Sequence, residues 1–329
     1  MRCEVTPPRH EADLGRTGGA GVSPAPPGDP FSLHQPRAPG LGAPPSYLEA
    51  GLWRDRLLIR NDTARLQLNQ ALRVTGDEVV VPDPVTGIEA RFTAEKAMLA
   101  LIGRISTDPA EIDGLPDPLR ERLAALGVLV DGDAGAAAHA AWERTLRQAM
   151  QAFREGGHAE LSGLLCPAVV AFLRQRYRHM ARHAALPYGD PQCPTRWIAH
   201  NEAAARPLHQ ALTPIMSAVV GEPVKPSYLY LGAYAEGSTL PRHTDREQCA
   251  FTLSLLIDYL PDIEGPSPWP LHLHLDGDGE PRSIRQRLGQ GLIFRGREIA
   301  HSRPALPAGH MSISIFFHFV PEDFRGRID

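Results

Sequence analysis

The sequence predicts an α+β protein with a helical middle and a C-terminal β-sandwich or jelly roll. Three observations predict this class. The first 47 of the 329 residues contain 10 Pro and 7 Gly, residues 138–220 carry Ala-rich stretches of helical periodicity, and apolar residues alternate with polar ones from Lys225 onward. Turns rich in Gly, Pro and Asp separate these alternating stretches at about the spacing found in sandwiches and jelly rolls.

The composition limits the kinds of function that the chain can have. With 43% hydrophobic residues and a net charge of -4, the chain can bury a sizeable core, and we expect no nucleic-acid partner. The four cysteines lie far apart without a CxxC pair, which argues against a disulfide scaffold and a cysteine zinc site. Because no run of about 18 apolar residues and no apolar signal-peptide core is present, we expect a cytoplasmic protein without membrane contact.

Residues 1–47 are predicted to be a disordered tail. A segment so rich in Pro and Gly has too few aromatic and branched side chains to offset the entropy lost on ordering. An extended arm that lies on a partner is the alternative.

Residues 48–133 are predicted to form a small winged-helix-like domain. Strands are predicted at 56–60, 78–81 and 128–130, and helices from the N-cap Thr93 and over 118–126. A turn over 82–87 follows the second strand. On the first helix, Ala97, Leu101 and Ile105 share one face.

The same segment resembles the PqqD-like modules, which bind the leader peptides of ribosomally made, modified peptides. The resemblance rests on Phe92-Thr93-Ala94, on Glu111-Ile112 and on Leu126-Gly127-Val128-Leu129. It implies that the domain recruits a peptide. The alternative is a helper domain that packs on the rest of the chain and binds nothing.

The helical middle of the chain contains one unusually basic helix, predicted at 167–185. It carries Arg174, Arg176 and Arg178 among other basic residues. Because charged side chains are mostly exposed, we expect this helix to present a solvated face.

The C-terminal third of the chain is predicted to be a series of strands. They are predicted at 228–231, 251–257, 271–275, 291–294 and 311–320. Along the last strand, one side carries His310, Ser312, Ser314, Phe316 and His318, and the other carries Met311, Ile313, Ile315, Phe317 and Phe319. This alternation predicts one face on a site and one on a core.

Two histidines and one carboxylate form a candidate metal site. His243 and Asp245 are two residues apart at a strand end, so both side chains project from the same face. His301 lies downstream, after a Gly-containing turn and before the last strand. Two histidines and a carboxylate on one face of a metal suit ferrous iron, which needs vacant positions for a bidentate cosubstrate and for dioxygen.

This order of strands and motifs resembles the iron(II)/2-oxoglutarate-dependent oxygenases, particularly the prolyl-hydroxylase-like group. The resemblance covers residues 164–320, about half of the chain. It implies an oxygenase domain over 138–329, with a helical part at 138–220 and a double-stranded β-helix, or jelly roll, at 221–329. It also implies that His243, Asp245 and His301 are iron ligands and the catalytic centre.

The resemblance implies a dioxygenase that uses Fe(2+), 2-oxoglutarate and O2. Such an enzyme converts 2-oxoglutarate to succinate and carbon dioxide and hydroxylates an unactivated C–H bond. A peptide or protein side chain is the first candidate substrate. The alternatives are a small metabolite, with a purely structural N-terminal domain, and a jelly-roll metal or binding protein that does not use 2-oxoglutarate.

The sequence departs from the family where the far carboxylate of 2-oxoglutarate should bind. The family places an Arg or Lys about nine residues past the distal histidine, and His310 stands there. His310 could bind as a cation, Arg303 or Arg297 could take its place, or the cosubstrate could be a different one. Ser314 stands where a hydroxyl commonly assists. Tyr234 is a further candidate for a hydrogen bond to the cosubstrate, with strand packing as its alternative role.

Overall fold

The computed structural model describes residues 66–132, 135–182, 186–275 and 279–328. The predicted tail at 1–47 and the predicted strand at 56–60 lie outside these residues. The fold class is α+β, as predicted, with helices and several antiparallel sheets. Within the described ranges, no helix combines the length and apolar character needed to cross a bilayer.

Residues 66–132, here called the N-terminal unit, contain two small sheets and two α-helices. The strands are β1 (Leu66–Leu68), β2 (Arg73–Thr75), β3 (Glu78–Pro82), β4 (Glu89–Thr93) and β5 (Leu129–Asp131); the helices are α1 (Lys96–Thr107) and α2 (Asp117–Ala125), with a 3-10 turn at Pro109–Ile112 between them. β2, β3 and β4 form an antiparallel meander, and β1 pairs with β5. The winged-helix-like assignment of this unit stays a prediction.

The first helix starts later than predicted. Thr93 pairs with Glu78 in the β3–β4 ladder, so its backbone belongs to the sheet. The helix begins at Lys96, with Glu95 as an N-cap that makes no side-chain cap hydrogen bond. Of the predicted apolar face, Leu101 and Ile105 are buried, whereas Ala97 is exposed.

Three helices and two strands follow the N-terminal unit. They are α3 (Gly135–Gly156), β6 (His158–Leu161), α4 (Pro167–Arg182), β7 (Arg196–His200) and α5 (Arg206–Val220). The sequence predicts a helical region here and misses both strands. β6 and β7 are short segments that become strands because they extend the two ends of a larger sheet.

The basic helix α4 does not present a solvated face. Arg174 is only 5% exposed, and its guanidinium pairs with the buried Asp258 and with Asp262. Arg178 binds the same aspartates, and Arg176 donates to Glu202 at 2.6 Å. The prediction fails for Arg174 and Arg178 because α4 packs on the strand that carries Asp258, so carboxylates rather than water surround these two arginines.

The remaining eight strands form a jelly roll. They are β8 (Val224–Tyr234), β9 (Leu240–His243), β10 (Phe251–Leu260), β11 (Leu271–His274), β12 (Arg282–Ile284), β13 (Gly291–Phe294), β14 (Ala300–Arg303) and β15 (Met311–Pro321). The major sheet has the order β6-β13-β10-β15-β8-β7, and the minor sheet has the order β12-β11-β14-β9. The chain passes back and forth between the two sheets, which is jelly-roll topology.

The two faces of the major sheet have different chemistry. On β10 and β15, every second side chain points outward, toward the helices. These side chains, such as Leu253, Ile315 and Phe317, belong to the main hydrophobic core together with residues of the helices. The inward positions carry polar side chains, including Thr252 and Ser314, and both are buried. The predicted alternation on the last strand therefore places polar groups inside the jelly roll, where a site can form.

Candidate metal centre and cosubstrate pocket

His243 and His301 face each other across neighbouring strands. They are cross-strand partners on β9 and β14, and their ring centroids are 4.3 Å apart. Asp245 follows β9 by two residues and turns one oxygen toward both rings. Its Oδ1 lies 3.7 Å from Nε2 of His243 and 3.6 Å from Nε2 of His301. The structure therefore brings the three predicted ligands to one point.

The hydrogen bonds of both rings leave the same nitrogen free. Nδ1 of His243 lies 2.8 Å from the carbonyl oxygen of Pro241, and Nδ1 of His301 lies 3.1 Å from that of Ile299. A carbonyl only accepts, so each Nδ1 carries the hydrogen and each Nε2 offers a lone pair. Burial, and then the neighbouring His243, lowers the pKa of His301 to about 3, so this ring is neutral at physiological pH.

Two contacts hold Asp245 in its orientation. Its backbone N–H donates to the carbonyl of Gly296 at 2.8 Å, and its Oδ2 accepts the hydroxyl hydrogen of Thr252 at 2.8 Å. Only Oδ1 is then directed at the histidines. The combination of two imidazole nitrogens and one carboxylate oxygen on one side of a point suits a divalent transition metal with open positions.

Gly296 is a site residue that the sequence argument missed. A Cβ atom at this position would lie 2.4 Å from Oδ2 of Asp245 and 2.6 Å from the carbonyl oxygen of Cys249. Glycine therefore lets the turn before β14 approach the carboxylate. The available signal was the glycine in the turn that precedes the distal histidine.

Arg303 lies inside the jelly roll without a carboxylate partner among the described residues. Its Nη1 donates to the carbonyl of Trp269 at 3.2 Å, and its guanidinium stacks 4.4 Å from the centroid of that indole. Its buried Nε and Nη2 have no hydrogen-bond partner. Burial lowers the pKa of Arg303 to about 10, which still leaves the group cationic at neutral pH.

The major sheet carries two buried serine hydroxyl groups on its last strand. Ser312 and Ser314 are inward neighbours on β15, and both buried Oγ atoms lack a hydrogen-bond partner. Ser312 stands between Tyr234 and Tyr259 in the sheet, and both phenols interact electrostatically with Arg303. We give the name cosubstrate pocket to the set Arg303, Ser312, Ser314 and Tyr234, as a candidate binding site for a cosubstrate.

Tyr234 has a hydroxyl hydrogen that is available for a further hydrogen bond. Its hydroxyl oxygen accepts a hydrogen bond from Nη1 of Arg196 at 3.0 Å, and a guanidinium cannot accept one in return. The phenolic hydrogen is therefore available to another acceptor. Burial raises the pKa of Tyr234, so the hydroxyl keeps this hydrogen at neutral pH.

The other two candidates for the far carboxylate differ in their surroundings. His310 is half-buried just before β15, and its Nδ1 lies 2.8 Å from the hydroxyl of Tyr259. Arg297 is exposed in the turn that precedes β14. Of the predicted cosubstrate residues, Arg303 and Tyr234 interact electrostatically with each other, and Ser314 is buried on β15.

Comparisons with known proteins give fold similarities at low identity. No family model matches the sequence, and no curated protein does either. The chain is similar to a prolyl-4-hydroxylase from Pseudomonas putida, with 17% identity and a TM-score of 0.45 over 55% of this chain and 100% of that chain. It is also similar to a prolyl hydroxylase from Trichoplax adhaerens in complex with a hypoxia inducible factor peptide fragment, with 14% identity and a TM-score of 0.47 over 56% of this chain and 92% of that chain.

A further similarity is to HygX from Streptomyces hygroscopicus, with nickel, 2-oxoglutarate and hygromycin B bound. The identity is 12% and the TM-score is 0.44, over 54% of this chain and 88% of that chain. These neighbours are of the group that the sequence motifs resemble. At such identities and TM-scores the similarity alone assigns no activity, and the inference of function rests on the geometry of the site.

Proposed function

We propose that this chain is an iron(II)- and 2-oxoglutarate-dependent dioxygenase that hydroxylates an unactivated C–H bond. The observation that carries the proposal is a pair of adjacent sites with complementary chemistry. His243, Asp245 and His301 direct three ligand atoms at one point, and the buried Arg303 nearby has donors without a partner.

The donor set fits ferrous iron. Both histidines offer Nε2 because their Nδ1 hydrogens are bound by backbone carbonyls, and Asp245 offers Oδ1 because Thr252 binds Oδ2. Three ligands on one face leave the opposite positions for a chelating cosubstrate and dioxygen, the arrangement of non-heme iron(II) oxygenases. When bound, iron with 2-oxoglutarate and dioxygen supplies the oxidising power for hydroxylation.

The cosubstrate pocket fits the far carboxylate of 2-oxoglutarate. An unpaired buried cation costs several kcal/mol, so the site favours an anionic ligand. Nε and Nη2 form the fork that binds a carboxylate with two parallel hydrogen bonds, and Ser314 and Tyr234 add hydroxyl donors.

The spacing of the two sites also supports 2-oxoglutarate. Arg303 follows His301 by two residues on β14. A strand rises about 3.3 Å per residue, so the two side chains are separated by roughly 7 Å along the strand. A five-carbon diacid can chelate at the histidines and reach the guanidinium over such a distance.

The chain's own residues orient the cosubstrate and exclude water from it. Arg303 and the hydroxyls fix one end of the diacid, and the metal ligands fix the other, so the cosubstrate is held in one orientation. The indole of Trp269 covers the guanidinium and keeps the pocket dry. A dry pocket strengthens the ion pair because the local dielectric constant is low.

Succinate formation tests the proposed activity. The purified chain is incubated aerobically with Fe(II), ascorbate and 2-oxoglutarate, and succinate is quantified by mass spectrometry. Turnover is expected for the wild type and is expected to be lost in His301→Ala, with an unchanged circular dichroism spectrum. Equal succinate formation by both proteins would overturn the ligand assignment.

We further propose that the substrate is a peptide or protein side chain. In this proposal, residues 138–329 form the catalytic domain. Residues 48–133 form a winged-helix-like, PqqD-like domain that recruits the substrate. An apolar groove of about 430 Å³ between α1 and α2 supports recruitment. It is lined by Met98, Leu101, Leu115, Leu119 and Leu126 together with the charged Glu95 and Arg104.

Oxygen incorporation into peptides tests this substrate class. A pool of peptides from a digested cell extract is incubated with the enzyme, and peptides that gain one oxygen atom are identified by mass. Leu119→Arg should prevent this gain and leave succinate formation without substrate unchanged. Oxygen gained only in the small-metabolite fraction would favour the alternative of a structural N-terminal unit.

A further inference from the structure

His318 lies behind the candidate metal centre, on the inward face of β15. It is 6% exposed, and its Nδ1 lies 3.0 Å from the hydroxyl oxygen of Thr252. Its backbone carbonyl accepts a hydrogen bond from Nε2 of His209 on α5 at 2.9 Å. Its ring packs 4.7 Å from the ring of Tyr228. These contacts fix both the backbone and the ring of His318.

His318, Thr252 and Asp245 form a row of hydrogen bonds, and the direction of each bond in this row can be assigned. The carboxylate of Asp245 only accepts, so the single hydroxyl hydrogen of Thr252 is directed at Oδ2. The oxygen of Thr252 must then accept from His318, which places the ring hydrogen on Nδ1. Burial lowers the pKa of His318 to about 4, so one neutral tautomer satisfies the whole row.

We propose that His318 is a positioning residue for the metal-binding carboxylate. By donating to Thr252, His318 prevents the hydroxyl from rotating away from Asp245. The hydroxyl holds Oδ2, and Asp245 then presents Oδ1 alone to the metal. The inference rests on the proposed metal centre and adds a hydrogen-bonded row, His318 to Thr252 to Asp245, that orients it.

A direct ligand role for His318 is the competing explanation. Asp245, Cys249 and His318 also have ligand atoms within 4.8 Å of one another. However, Thr252 binds both Nδ1 of His318 and Oδ2 of Asp245, which leaves Nε2 as the only possible ligand atom of this ring, and the Cys249 thiol lies 3.2 Å from the hydroxyl of Tyr228. A ligand role predicts that Cys249→Ser and His318→Asn both lose metal binding, whereas a positioning role predicts that His318→Asn keeps it.

Cobalt binding to the full chain tests the proposal without requiring turnover. Co(II) is titrated anaerobically, its affinity is read from the d–d absorption bands, and thermal melting is recorded for every variant. His318→Leu should weaken Co(II) binding by about 10- to 100-fold, the usual effect of losing an outer hydrogen bond to a metal ligand. His318→Asn should retain most of the affinity, because its amide can donate from the position of Nδ1.

Two further variants separate positioning from packing. Thr252→Val should weaken Co(II) binding as His318→Leu does, and the double variant should be no weaker than Thr252→Val alone, because both residues act through one bond to Asp245. His272→Leu is the control: His272 is a half-buried strand histidine that is also bonded to a hydroxyl, that of Ser283, but it has no hydrogen bond toward Asp245. Its Co(II) affinity should equal that of the wild type.

The outcomes distinguish this proposal from the proposed function. If His301→Ala loses Co(II) binding while His318→Leu binds as the wild type does, the metal centre stands and the positioning role is wrong. If His318→Asn and Cys249→Ser lose binding as completely as His301→Ala, His318 is a ligand and the proposal is overturned. If the wild type does not bind Co(II), the proposed metal centre fails and the positioning role fails with it.

Discussion

Arg303 is the residue whose surroundings argue most strongly for a missing anion. Its guanidinium is enclosed by Trp269, Tyr234 and Tyr259, with no carboxylate among the described residues to balance its charge. The sequence could only propose Arg303 beside His310 and Arg297. Which of them faces the interior depends on the register of β14, which is irregular between His301 and Arg303, and on a turn that leaves Arg297 in solvent.

Arg303→Met should raise the Michaelis constant for 2-oxoglutarate at least tenfold, because a buried charge-assisted pair contributes more than about 1.5 kcal/mol. Arg297→Ala should leave it unchanged. The pKa of Arg303 is about 10, so its charge is constant and the affinity should be flat from about pH 6 to 8, the range in which an ordinary histidine titrates. If the affinity for 2-oxoglutarate instead weakens as the pH rises through this range, and if His310→Ala also weakens it, then His310 binds the far carboxylate of 2-oxoglutarate.

Gly296→Ala should displace the carboxylate of Asp245, because the added Cβ would lie 2.4 Å from Oδ2 and 2.8 Å from the hydroxyl oxygen of Thr252. We expect lower Co(II) affinity and a loss of about 1–3 kcal/mol in unfolding free energy, the cost of overpacking. Gly103→Ala on α1 is the matched control, since nothing lies within 4 Å of its added Cβ. Unaltered metal binding in Gly296→Ala would show that the turn can move away.

At the scale of elements, periodicity predicts the long strands of the jelly roll, because inward and outward positions alternate along most of β10 and β15, with a register shift between Leu256 and Asp258. It does not predict β6 and β7, whose strand state depends on pairing with β13 and β8 far along the chain. It also cannot show that the arginines of α4 meet Asp258, since that contact joins residues of distant elements. The pairing of His243 with Asp245 could be predicted because local strand geometry sets it, whereas His301 meets them through the pairing of β14 with β9 and was assigned from the family resemblance.

Asp258→Asn should destabilise the packing of α4 on β10. The Asp258 carboxylate is 1% exposed and pairs with Arg174 and Arg178. Removing one partner of a buried ion pair typically costs about 3–5 kcal/mol because the other charge stays buried. Asp262→Asn is the control: this carboxylate is 51% exposed, so its loss should cost at most about 1 kcal/mol. Urea unfolding measures both, and equal values for the two variants would contradict this account.

At the scale of the whole molecule, the N-terminal unit is in contact with the helical part of the chain. Ile88, in the turn between β3 and β4, belongs to the main hydrophobic core, and Cys166 and Val169 pack against the core of the N-terminal unit. The helices cover the outer face of the major sheet, so the inner face can hold polar groups without losing the core. This division lets one fold combine a stable core with a polar interior.

An anaerobic absorption titration with Fe(II) and 2-oxoglutarate tests the central claim most directly. If His243, Asp245 and His301 hold iron and Arg303 holds the far carboxylate, the wild type should develop a weak visible charge-transfer band that saturates with 2-oxoglutarate. His301→Ala should show no band, and Arg303→Met should require at least tenfold more 2-oxoglutarate, matching the loss of a charge-assisted bond of more than about 1.5 kcal/mol. A wild-type protein without the band, or the same band in His301→Ala, would contradict the account.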